Sequence, residues 1–267
     1  MKRLFNFLFI VAMCFCSACG TTQTWKNTKV SGNFRGHLQG IDIDNGKIYF
    51  SQTFNLIRTD AKGNIERIID AEYHHGDICI ADGKLYCAVN KGKFNQDPKK
   101  NLAKNFVYVY NLDLICLDII PINNMPEGLG AIEYHNGKFY LGGGCYKEEK
   151  TFKIFQFSKD FKFEKTYEIP VGNSLLGVQT LARAHGKFWL GCYTIKGDKF
   201  HLWEADDNFN IIKKHKERGD VGIAEVNQSN ATLMIGVNGA IDKKYHEKNY
   251  ARHTSGVKLI KIKENEK

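Results

Sequence analysis

From Thr28 onward the chain alternates apolar and polar positions with a period of two, and no segment of useful length carries a helical period. Short turns interrupt the alternation at related places. "NGKIYF" begins at Asn45, "DGKLYC" at Asp82, "NGKFYL" at Asn136 and "HGKFWL" at His185. Asn-Gly or Asp-Gly between alternating runs predicts a tight two-residue hairpin. A glycine-led strand precedes each turn: "GIDID" from Gly40, "GDICIA" from Gly76, "GAIEYH" from Gly130 and "GVQTLARA" from Gly177. A degenerate fifth copy reads "GIAEV" from Gly222, a turn at Gln228-Ser229-Asn230, then "ATLMIGV".

A second hairpin follows in four of the units: "LIRTDAKGNIERII" from Leu56, "VYVYNLDLICLDII" from Val107, "IFQFSKDFKFEKTYEI" from Ile154 and "HLWEADDNFNIIKKH" from His201. Each of these units therefore predicts four short strands. The fifth has three, ending with "GVKLIKIK" from Gly256, and lacks its outer strand. "TKVSGNF", Thr28 to Phe34, precedes the first unit and has strand character. It is expected to supply the missing strand by pairing with Gly256 to Lys263, which would close the ring and remove an open edge. Repetition on this pattern resembles the β-propeller repeat proteins from Thr28 to Lys263. The resemblance implies an all-β, five-bladed β-propeller with four antiparallel strands per blade, forming one domain over residues 28–267. It names no enzyme family.

The first residues read differently. Met1-Lys2-Arg3 is a basic start, and Leu4 to Phe15 is an apolar run of about a dozen residues, in the signal-peptide range and short for a membrane span. "CSACG" follows, and the whole resembles a bacterial lipoprotein signal. Under that resemblance Ala18 and Ser17 make Cys19 the best candidate for lipidation, although Cys16 stands where such signals usually carry Leu; a plain secretory signal cut nearby is the alternative. The expected organisation is a signal over 1–18 and a short linker over 19–27. The resemblance implies a lipid anchor as the only membrane attachment and a place in the cell envelope, on the periplasmic side of the outer membrane. Removal of Lys2 and Arg3 lowers the formal charge from +9 to +7. An exported basic protein suits acidic lipids or acidic glycans, and the expected compartment argues against nucleic acid. Beyond Cys19 stand Cys79, Cys87, Cys116, Cys145 and Cys192, an odd number in strand-like runs, read mainly as small buried hydrophobes. Cys79 and Cys87 are the one pair that resembles a disulfide.

In a propeller the first strand of each blade lines a central channel. The segments leading into those strands, "GHLQG", "YHHGD", "PEGLG", "SLLGVQ" and "GDVGIAE", should then converge at the channel mouth. That gathers His37, Gln39, His74, His75, Asp77, Glu127, Gln179, Asp220 and Glu225, a concave polar site. Two long insertions are expected on the same face. Residues 90–105 carry five lysines, Lys99 and Lys100 among them, against one acid; residues 238–256 carry Tyr245 and Arg252 among rings and cations. These basic, aromatic loops suit sugar faces and carboxylates or sulfates.

Three chemistries fit this set. A saccharide enzyme would use a carboxylate pair such as Glu127 and Glu225 for hydrolysis, or His75 and His37 as bases in a lyase, with Lys or Arg neutralising a uronate. A binding module would use Gln39, His74, Asp77, Gln179, Lys99, Lys100, Tyr245 and Arg252 to hold a saccharide or other small anion. His75, Asp77 and Glu127 also suit a central divalent cation, but loops converging from separate blades have no diagnostic spacing, and no metal site is assigned. A non-catalytic scaffold for an envelope protein is the alternative to a saccharide function. A monomer is expected.

Overall fold

The computed structural model describes residues 23–146, 151–170, 174–194, 199–226, 232–247 and 250–262. The expected signal over 1–18, Cys19 and the turn at 228–230 lie outside the described residues. Twenty strands among them form five four-stranded antiparallel sheets. The N-terminal strand β1 (Thr28–Arg35) is followed by a first blade of β2 (Leu38–Asp44), β3 (Lys47–Gln52), β4 (Asn55–Asp60) and β5 (Ile65–Asp70). The second is β6 (His75–Ala81), β7 (Lys84–Asn90), β8 (Asn105–Asn111) and β9 (Cys116–Ile122), and the third is β10 (Leu129–His135), β11 (Lys138–Gly143), β12 (Thr151–Ser158) and β13 (Phe163–Pro170). The fourth is β14 (Ser174–Ala184), β15 (Lys187–Thr194), β16 (Leu202–Ala205) and β17 (Ile211–His215). The fifth combines β18 (Ile223–Glu225), β19 (Thr232–Glu247), β20 (Tyr250–Lys261) and β1, in the order β1-β20-β19-β18. Inner strands β2, β6, β10, β14 and β18 meet in turn around a channel, β18 returning to β2. The chain is a five-bladed β-propeller.

The hairpin motif folds as its chemistry requires. Asn45 and Gly46 have φ of 44° and 76°, Asp82 and Gly83 48° and 70°, Asn136 and Gly137 50° and 74°, and His185 and Gly186 48° and 71°. Positive φ at both central positions is the type I′ turn that Asn-Gly favours. The recurring leading glycine has a different cause. A Cβ on Gly40 would lie 2.7 Å from the Cα of Asp77, and one on Gly76 would lie 2.7 Å from the carbonyl oxygen of Gly130. Inner strands of neighbouring blades touch there backbone to backbone, so only glycine fits.

Each seam between blades holds its own apolar core, five in all among the described residues. Fully buried Trp189, Trp203, Phe50, Phe139, Phe152 and Phe188 fill four of these seams and Tyr49, Leu56 and Leu85 the first-to-second, a buried Phe or Leu stabilising by about 1.5–3 kcal/mol relative to exposure. Cys79 packs in the second-to-third seam and Cys87 in the first-to-second. They therefore sit on opposite faces of one sheet, because Cys87 stands opposite Ile78 and Cys79 opposite Tyr86. Both thiols are free, and the disulfide that their spacing resembles does not form.

β1 closes the ring from Thr28, opposite Val257, to Arg35, opposite Arg252. The expected partner segment Gly256–Lys263 is corrected: β1 pairs with Arg252 to Val257, nearer the channel mouth, and two extra residues bulge from β1 between Val30 and Phe34. The insertion at 238–256, expected as a loop, instead continues β19 and β20 as a ribbon in which Ile241 faces His253 and Asp242 faces Arg252.

Candidate functional site

The mouth face carries the segments that lead into the inner strands. There His37, Gln39 and His74 come together as the repeat implies, and Thr53, Phe94 and His253 join them. The Gln39 amide nitrogen lies 2.9 Å from Nε2 of His74 and 3.3 Å from Nε2 of His37. Nδ1 of His37 is 3.0 Å from the carbonyl oxygen of Leu38, which can only accept. The His37 proton therefore sits on Nδ1 and its Nε2 offers a lone pair. The two N–H groups of Gln39 are shared among His74, His37 and Thr53 Oγ1, the last at 3.4 Å; the shortest contact is to His74, which accepts at Nε2 and so carries its proton on Nδ1. That Nδ1 is enclosed and without a hydrogen-bond partner. Burial, then the charge of His37, moves the His74 pKa down to about 4. Phe94 packs edge-on against His74 with centroids 5.4 Å apart, and His253 lies 6.4 Å from His37. Thr53 Oγ1 accepts from the His37 backbone N–H at 3.2 Å and fixes the lead-in to β2.

Other candidates lie elsewhere. His75 is fully buried in the second blade. Its Nδ1 meets the Glu72 carbonyl at 2.6 Å and its Nε2 meets the Tyr110 hydroxyl at 2.8 Å. Burial moves its pKa down to about 4, and both ring nitrogens are engaged, so it is a core histidine and does not reach the mouth. Glu225 sits at the opposite, turn-bearing face, where its Oε1 accepts from the His185 N–H at 2.8 Å. Glu127 stays on the mouth side, buried, with Lys153 Nζ at 3.4 Å. Glu127 and Glu225 thus lie on different faces and cannot flank one glycosidic bond. Gln179 turns back on the Leu176 carbonyl at 2.5 Å. Asp220 is buried against Arg218, whose Nε is 2.9 Å away. Lys99 and Lys100 are exposed on a short 3₁₀ turn (Pro98–Lys100) in the first insertion, capped by Asp97. Arg252 is half-buried on β20; Tyr245 belongs to β19 and its side chain lies outside the described residues.

Asp77 is in the channel interior, with two carboxylates that sequence reasoning passed over. Its Oδ2 accepts from the backbone N–H of Leu181 at 2.8 Å and of Ile132 at 3.4 Å, joining three blades. Asp42 accepts from Ile80 N–H at 2.5 Å, and Glu133 from Arg183 N–H at 3.0 Å. An inner strand is a sheet edge with unpaired N–H groups, and these acids satisfy them from the neighbouring blade. Burial raises the pKa of all three, Asp42 up to about 7. Among the described residues no group of His, Cys, Asp and Glu is arranged to hold a metal ion. The recurring acid in "GIDID", "GDICIA" and "GAIEYH" was the available signal. At the turn face these strands open into a pocket of about 540 Å³ lined by Asp42, Glu133, Glu225, Gln23 and Trp25.

No protein-family profile matches the chain, and no curated protein matches it in sequence. Among solved structures it is similar to the WD40 domain of Pan2 from Neurospora crassa, at 12% identity over 81% of this chain and 60% of that one, TM-score 0.44. It is similar to a gluconolactonase from Xanthomonas campestris at 11% identity over 80% and 69%, TM-score 0.45. It is also similar to a protein of unknown function from Bacteroides caccae at 12% identity over 82% and 74%, TM-score 0.45. The neighbours include propeller proteins, and the likeness is one of fold.

Proposed function

We propose that this propeller is a cell-envelope lipoprotein, anchored through Cys19, that binds an acidic saccharide at the channel mouth and does not transform it. The observation that carries the reading is the Gln39 bridge. A general base needs a free lone pair within reach of the proton it takes. Here one amide occupies the Nε2 lone pair of both His37 and His74, and their Nδ1 atoms carry protons. Such a set is fixed in orientation, rigid and polar, which suits recognition. The first insertion borders this face with Lys91, Lys93, Lys99, Lys100 and Lys104, favouring an anionic ligand. The anchor is consistent with it: Gln23 lines the turn-face pocket beside Gly46. Gln23 is four positions beyond Cys19, a reach of at most roughly 14 Å. A lipid at Cys19 would hold the turn face toward the membrane and leave the mouth open.

The test is a panel of acidic and neutral glycans assayed for both binding and depletion. Wild type should bind acidic members without consuming them, and Gln39→Ala should weaken binding by about tenfold, the scale of one or two lost hydrogen bonds. A new ultraviolet-absorbing unsaturated product would refute the binding-only reading. No binding to any member would leave an envelope protein partner as the better reading.

A further inference from the structure

Arg35 and Arg252 are direct cross-strand partners at the mouth end of the closing seam. The register of β1 sets this juxtaposition of two guanidinium side chains. The two extra residues between Val30 and Phe34 shift the register. Without them Asn33, a neutral side chain, would stand opposite Arg252. With them Phe34 enters the core and Arg35 stays exposed. Both arginines line a groove of about 540 Å³ between β1 and β5. Its outer wall includes Ile65 and Ile68, 38% and 45% exposed.

The groove continues toward the mouth as a file of rings. The Arg35 guanidinium carbon lies 4.4 Å from the Phe54 ring centroid, which orients its plane. Phe54 to Tyr73 is 5.5 Å, Tyr73 to His74 is 5.1 Å and His74 to Phe94 is 5.4 Å between centroids. One acid lines the groove: Asp70, with its Oδ1 held 3.0 Å from the Asn55 amide. On β19, Asp242 is the register partner of Arg252.

We propose that this groove is a second binding site, in which Arg35 and Arg252 clamp the carboxylate of an acidic sugar while the rest of the chain runs along the rings to the mouth. Guanidinium forks match the planar, two-oxygen geometry of a carboxylate, and Ile65 and Ile68 meet the apolar face of the sugar. The proposal rests on the saccharide reading but concerns residues outside the mouth.

The test compares a short oligogalacturonate, its carboxyl-reduced neutral counterpart and inorganic phosphate, by calorimetry and by the side-chain N–H resonances of Arg35 and Arg252. The acidic oligomer should move both resonances saturably and bind at least tenfold more tightly than the neutral oligomer or phosphate, with affinity falling as salt rises. Arg35→Gln and Arg252→Gln should each cost about tenfold for the acidic oligomer and leave the neutral one unchanged. Ile68→Glu, at an exposed position that leaves both arginines intact, should weaken both oligomers through the lost apolar contact and the acidic one more, through charge repulsion. Phosphate binding as tightly as the oligomer would overturn the sugar assignment. Acidic-oligomer binding that depends on Gln39 but is unchanged in all three groove variants would overturn the groove and leave the mouth reading standing. Binding that depends on the arginines and ignores Gln39→Ala would do the reverse. No binding of the acidic oligomer would overturn both.

Discussion

Replacing Asp42 by Asn should make the protein progressively more stable, relative to wild type, as pH rises from 4 to 8. The Asp42 carboxyl is walled in by neighbouring inner strands, and burial moves its pKa from 3.8 up to about 7 despite hydrogen bonds from Ile43 and Ile80. The folded state therefore holds this proton more tightly than the unfolded chain does. Below about pH 3.8 both states are protonated and the residue has no pH-dependent effect. Between the ordinary value and about 7 the unfolded chain ionises while the folded one does not, so stability falls as pH rises, and above about 7 the loss is complete. A displacement of this size corresponds to about 4 kcal/mol. Asp42 also lines the turn-face pocket, and solvation through that opening reduces the figure to about 2–4 kcal/mol. The amide that replaces the carboxyl does not titrate. Glu133, whose pKa is raised by burial and then by Asp42, would ionise more easily in the variant, adding in the same direction. Urea unfolding of both proteins at pH 4, 5, 6, 7 and 8 measures the difference. A difference that stays flat within about 0.5 kcal/mol, or that favours wild type as pH rises, would show that Asp42 ionises normally and refute the burial argument.

Three further outcomes are expected. Gly256→Val would put a Cβ 2.4 Å from the Thr28 carbonyl oxygen and force β1 from the closing seam; overpacking of about 1–3 kcal/mol should lower Tm by roughly 5 °C, and an unchanged melt would contradict the role of that seam. Native thiol labelling should modify Cys116 alone among the described cysteines, since Cys116 is exposed while Cys79, Cys87, Cys145 and Cys192 are buried; mass spectrometry of labelled peptides reads this, and a disulfide-linked Cys79–Cys87 peptide would contradict their placement. Cys19→Ser should move the protein from membrane to soluble fraction, and an unchanged fractionation would remove the lipid anchor.

Much of the ring was legible because its signals are local. Asn45-Gly46 and Asp82-Gly83 specify their turns within two residues, and the missing fourth strand of the last unit points to a strand elsewhere in the chain. The fate of the histidines is not local. His74 and His75 are adjacent and chemically alike, yet alternation along the extended chain turns them apart. His74 meets Gln39 of the first blade; His75 meets Tyr110 inside its own blade. Which of the two would face the mouth depends on where strand pairing begins, and a one-residue change of register exchanges them. His253 and Phe94 were harder still. They arrive on insertions whose path is set by packing against other blades, and no period in the sequence encodes that path.

The same distinction explains why Asp77 was read as a ligand-binding residue and Asp42 and Glu133 were passed over. An acid beside paired histidines, seen in sequence, looks like a polar group waiting at a mouth. In the ring, Asp42, Asp77 and Glu133 each face a neighbouring strand whose N–H groups have no sheet partner on the channel side, and each accepts from one or more of them. A buried N–H left unpaired costs about 1–3 kcal/mol, so these acids have a structural reason to recur whatever the protein binds. Repetition across blades then marks the residues that hold the ring together. Residues that occur once, such as Gln39 between two imidazoles or Arg35 displaced by a bulge to face Arg252, are the ones repetition leaves unexplained, and the proposals for binding rest on them.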